Sequence, residues 1–86
     1  MNESELLTFL EKEGYQNLKV LEDGTLVGTE NLIFSTALYV GLTEFSYKKR
    51  YIFETEKKAL TALNLLKAGW EEPAGYVQRL PPVGAD

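Results

Sequence analysis

Eighty-six residues, 44% hydrophobic and 26% charged, describe one globular domain. A chain of this size buries only roughly 60–65% of its unfolded surface, so its core is small. The chain has no cysteine and no histidine, which removes disulfides, thiolate chemistry, the commonest nucleophile–base pairs and the usual transition-metal ligands. A net charge of −4 gives no whole-molecule attraction to nucleic acid, and acids adjacent only at Glu22-Asp23 and Glu71-Glu72 are too scattered to imitate DNA.

The opening MNESELL carries no basic region followed by an apolar run, and no stretch is long enough to span a membrane. The expected location is cytoplasmic, in a bacterium or a virus-infected host cell, with no membrane partner. Residues 3–13 are predicted to form the first helix. Asn2 is its cap, with Glu5 at capping-box spacing. Leu6, Phe9 and Leu10 form the apolar stripe, and Gly14 ends the helix. Residues 17–21 and 25–29 read as two short strands joined by Glu22-Asp23-Gly24, which contains the Asp-Gly signal of a tight hairpin. Gly28 marks a bulge or bend, and Glu30-Asn31 a short break.

The longest β-rich runs are 32–40 (LIFSTALYV) and 44–53 (EFSYKKRYIF), an antiparallel hairpin around Gly41-Leu42-Thr43. Both faces of the first run are apolar, as in a central strand. In the second, Phe45, Tyr47, Tyr51 and Phe53 share a face interrupted by Lys49, while Ser46, Lys48 and Arg50 fall on the other. That alternation predicts a sheet with one apolar and one wet face. A second helix is predicted over 55–68. Thr55 is its cap, Ala59, Ala62, Leu63 and Leu66 are its buried stripe, and Gly69 lies just beyond it. Residues 70–86 are an irregular tail with a short extra strand at 76–80, stopped by Pro81-Pro82. The fold class is therefore α+β: an N-terminal helix, an antiparallel meander of three or four strands, and a C-terminal helix packed on one face.

No phosphate-cradling glycine loop and no EF-hand pattern is present, so no cofactor and no metal is expected. Acid–base chemistry would have to rest on carboxylates alone. Glu54, Glu56, Glu71 and Glu72 are the candidates, all at element ends where solvated or capping acids are usual, and the chain is not expected to be an enzyme.

Lys48, Lys49, Arg50, Lys57 and Lys58 are five of the nine basic residues, interleaved with Tyr47 and Tyr51. That is the composition of a small nucleic-acid-binding patch with stacking tyrosines, or of a solvated strand face and an exposed helix start. In the three-strand version the order of elements resembles the double-stranded-RNA-binding domain, and Thr55-Glu56-Lys57-Lys58-Ala59 is similar to the lysine-bearing start of that family's last helix. Leu60, Thr61 and Ala62 then stand where the family carries further charge.

Trp70, Pro73, Tyr76, Val77 and Leu80 are too apolar for a plain disordered end; Trp70 and Tyr76 either fold back over the helix or sheet edge or form a partner surface, for which Trp70, Tyr76 and Arg79 are favoured types. The leading expectation is a non-catalytic, cytoplasmic protein-interaction domain of the bacterial accessory or phage-encoded-inhibitor type. Its partner is another protein or a second copy in a homodimer, joined through a sheet edge or the tail. Nucleic-acid binding through the five basic residues is the alternative, and a carboxylate-only enzyme the last.

Overall fold

The computed structural model describes residues 2–77. The elements run α1 (Glu3–Lys12), β1 (Gln16–Val20), β2 (Leu26–Asn31), β3 (Thr36–Val40), β4 (Lys49–Phe53) and α2 (Glu56–Leu65). The strands form one four-stranded antiparallel meander in sequence order, which settles the strand count and leaves β1 and β4 at the edges. The three-strand version, and with it the resemblance to the double-stranded-RNA-binding domain, is not met.

Both helices start as their caps dictate. The Asn2 side chain accepts the Glu5 N–H at 2.8 Å, and the Thr55 hydroxyl accepts the Lys58 N–H at 3.2 Å. α2 lies on the sheet face that carries Val27, Leu38, Val40, Tyr51 and Phe53. Its small residues Ala59 and Ala62 meet that face, with Leu63 and Leu66 completing the contact. α1 covers the opposite face through Leu10, against Leu26, Ala37, Tyr39 and Leu42. The sheet is thus covered on both sides, and the wet face expected opposite Tyr51 and Phe53 does not exist at its centre. β3 is buried along its whole length for this reason, in keeping with the two apolar faces of its sequence.

Both ends of the long hairpin are shorter than their sequences suggest. Residues 32–35 belong to a turn, closed by the Leu32 N–H donating to the Ser35 carbonyl at 2.8 Å, because β2 runs on through Glu30 and Asn31 and pairs with β3 up to Asn31–Thr36. Residues 44–48 belong to a loop. The Thr43 hydroxyl accepts the N–H groups of Phe45 and Ser46, and this local bonding replaces a ladder to β3. Alternation is therefore lost before Lys49. Tyr47 packs edge-on against Tyr39 on the α1 face, while Tyr51 and Phe53 face α2.

The irregularity expected at Gly28 sits across from it. β1 slips register between Gln16 and Lys19, with Asn17 at φ 54°. Gly28 permits the close approach: a Cβ there would stand 2.7 Å from Leu18 Cδ2 and 3.3 Å from the Gln16 carbonyl oxygen. α2 ends at Leu65, three residues short of the predicted end, because Leu66 turns extended at ψ 138° to bury its side chain. Gly69 does not cap the helix. Its N–H instead reaches Asp23 Oδ2 at 3.4 Å in the β1–β2 turn. The chain then returns along the free edge of β4. The Tyr76 ring lies 5.0 Å from that of Tyr51, and the Val77 N–H donates to the Ile52 carbonyl at 2.6 Å. Of the extra strand expected at 76–80, Val77 supplies this backbone contact, and residues 78–80 lie outside the described residues.

Candidate functional site

The five basic residues do not form one patch. Lys48 ends the β3–β4 loop, and Lys49 and Arg50 open β4. Lys57 and Lys58 lie in the first turn of α2, beyond the other end of that strand. Tyr51, Ile52 and Phe53, three strand residues at about 3.3 Å each, and then Glu54, Thr55 and Glu56 lie between the two groups. Lys58 Nζ is 3.8 Å from Glu54 Oε1, and the stem of Lys48 lies over Gly41. Arg50 sits opposite Tyr39 in the β3–β4 register. All five are exposed.

Trp70 and Tyr76 are half-buried and pack against the α2-side core. Trp70 also lines a cleft of about 860 Å³ between α2 and residues 66–75, with Phe53, Ala62 and Leu65 on its walls and Lys57, Lys58, Glu71 and Glu72 also lining it. Arg79, the third interface candidate, lies outside the described residues.

The four acids considered for catalysis do not converge on one point. Glu54 faces Lys58, Glu56 accepts a hydrogen bond from the Asn31 amide at 3.2 Å, and Glu72 accepts the Tyr76 hydroxyl at 2.9 Å. Glu71 is exposed beside the cleft. Burial, with Glu72 and Tyr76 nearby, raises the Tyr51 phenol above its ordinary pKa. Among the described residues, no three acids come together in a way that could hold a metal ion. No helix among them is long and apolar enough to cross a membrane.

Three strongly exposed apolar residues are ones that the strand reading hid: Phe45 in the β3–β4 loop, 90% exposed, and Ile33 and Phe34, 88% and 92% exposed, which form the tip of the β2–β3 hairpin. The base of that tip is held firmly. The Asn31 side chain accepts the Thr36 hydroxyl at 3.0 Å, and its amide donates to Gln16 and Glu56. Three separate elements thereby fix the residue from which the tip departs. Asn31 and Ser35, both turn-forming types, bracket Leu32-Ile33-Phe34 and are the only sign of this turn in the sequence.

On the α1 face, Tyr39 donates its hydroxyl to the Glu30 carboxylate at 2.8 Å, and Tyr15 and Tyr47 meet its ring edge-on at 5.1 and 4.9 Å. Burial first, then the Glu30 hydrogen bond, push the Tyr39 pKa up to about 12, against an opposing pull from Arg50. Comparison of the chain with protein-family models, with curated proteins and with solved structures gave no match.

Proposed function

We propose that the protein is a non-catalytic, cytoplasmic protein-interaction domain of accessory or inhibitor type, whose contact surface is centred on the Ile33–Phe34 hairpin tip. The observation that carries this reading is the exposure of those two side chains on a hairpin whose strands are the buried middle of the sheet. The helices already cover both faces, so the tip has no core left to join. A large apolar pair held out on a fixed support loses little conformational entropy when a partner covers it.

The simplest partner is a second copy of the chain. Light scattering on a sizing column across a concentration series tests this directly. A mass that rises with concentration in the natural sequence and stays monomeric in Ile33→Ser/Phe34→Ser supports the reading. A strictly monomeric protein that also captures nothing from a matched lysate overturns it.

A further inference from the structure

A second concave site lies at the opposite end of β3 from the hairpin tip. It has about 260 Å³ of space between the end of α1 and the β3–β4 loop. Four aromatic side chains line it: Phe9 and Tyr15 from the α1 side, Phe45 and Tyr47 from the loop. The two charged residues among its walls are both acidic, Glu13 and Glu44. We propose that this pocket binds an organic cation: an alkylammonium group, best a quaternary one, held against aromatic faces and balanced by the two carboxylates.

Three observations carry the assignment. The first is composition. Aromatic rings present a negative face to a cation within about 6 Å, and such sites become stronger when carboxylates add long-range attraction. A site meant for a neutral apolar group gains nothing from Glu13 and Glu44. The second is rigidity. The loop wall is fixed by the Thr43 N–H donating to the Ser46 carbonyl at 2.8 Å and by the Thr43 hydroxyl accepting from Phe45 and Ser46. Tyr39, anchored on Glu30, holds Tyr15 and Tyr47 edge-on. The third is the local field. The Tyr15 phenol is raised above its ordinary pKa first by burial and then by Glu30, Tyr47 and Glu13, and the two carboxylates among these causes put negative charge within reach of the pocket wall. Among the described residues no lysine or arginine lines the pocket, and Arg50 faces Tyr39.

The volume suits a trimethylammonium head with a short stem. Two sources offer that chemistry: a free small molecule such as choline, and a methylated lysine side chain of a protein. The inference goes beyond the interaction reading and uses none of the hairpin-tip residues, so loss of self-association in Ile33→Ser/Phe34→Ser leaves it standing.

The test is an NMR titration of the natural protein with choline, with acetylated trimethyllysine amide, and with the carbon isostere of choline, in which a neutral carbon replaces the nitrogen. Saturable shifts of the Tyr15 and Tyr47 ring signals are expected for the cations, with dissociation constants on the order of millimolar. The neutral isostere is expected to bind at least about fivefold more weakly. Phe45→Ala removes an exposed rim residue, and Glu44→Gln removes one charge at constant shape. Each is expected to weaken binding by roughly threefold or more without changing the fold. Tighter binding of trimethyllysine amide than of choline assigns the site to a protein side chain, and the reverse to a free ligand. Equal binding of the isostere, no saturable shift with either cation at millimolar concentration, or unchanged binding in both variants overturns the proposal.

Discussion

The Tyr39 hydroxyl and the Glu30 carboxylate stand 2.8 Å apart on adjacent strands, and the phenol is pushed up to about 12 by its burial and by this bond. In the unfolded chain Tyr39 titrates near 10. Between those values the unfolded state gives up the proton and the folded state keeps it, so alkali favours unfolding. The contribution of Tyr39 is fully present below about pH 10 and is lost as pH rises toward 12. Denaturant midpoints measured from neutral pH to pH 12 are expected to fall over that window. Tyr39→Phe should flatten the fall. An unaltered slope in that variant would show that another group is responsible.

Asn31 ties the hairpin tip to three neighbours. Its Oδ1 accepts from Thr36, whose hydroxyl is buried with its residue only 3% exposed. Asn31→Ala leaves that hydroxyl without this acceptor and is expected to cost about 1–3 kcal/mol. In a domain of this size that corresponds to a melting temperature lower by roughly 4–8 °C per kcal/mol. Asn31→Asp keeps the acceptor, loses the amide donors and places a charge near Glu56. It should retain part of the stability and respond to salt, whereas Asn31→Ala should not.

The register slip in β1 depends on Gly28. A methyl group there would press on Leu18 Cδ2 at 2.7 Å, and on the Gln16 carbonyl and Leu42 Cδ1 at 3.3 Å each. The two leucine ends can swing aside, but the carbonyl belongs to the bulge and cannot. Gly28→Ala is therefore expected to cost about 1–2 kcal/mol, at the lower part of the range for overpacking. A double-mutant cycle with Leu18→Ala separates the Leu18 contact from the other two. The penalty should shrink in the Leu18→Ala background and should not vanish. A penalty of equal size in both backgrounds would remove Leu18 from the account.

The sequence disclosed the elements whose signals are local and chemical. Asn2 and Thr55 cap the helices as their side chains require, and Asp23-Gly24 turns between β1 and β2. The two apolar faces of the run 32–40 marked a central strand, which Thr36–Val40 is. What stayed hidden was set by pairing partners. Leu32-Ile33-Phe34 has the composition of a strand, yet β2 claims Glu30 and Asn31 and leaves those three residues to make the turn. Phe45 and Tyr47 continue the alternation of Tyr51 and Phe53 on paper, but the Thr43 hydroxyl captures the backbone first. The aromatic pocket is composed of these displaced residues together with Phe9 and Tyr15, and only the folded chain brings them together.

The apolar surplus of the chain divides between core and surface, and two variants separate the parts. Trp70, the only tryptophan, is half-buried against the α2-side core, with Phe53 and Leu66 lining the same cleft. Trp70→Ala should lose about 1–3 kcal/mol, less than a full core truncation because part of the ring already meets water. Ile33→Ser/Phe34→Ser removes two side chains that touch little of their own chain, so its stability should change by no more than about 0.5 kcal/mol per site. Association should respond in the opposite order: lost in the tip variant, and retained in Trp70→Ala under conditions where that protein is folded. Paired chemical denaturation and light scattering on the two proteins measure both quantities. If Trp70→Ala keeps its stability and loses association while the tip variant still associates, the contact surface is the cleft beside α2, and Ile33 and Phe34 have no part in it.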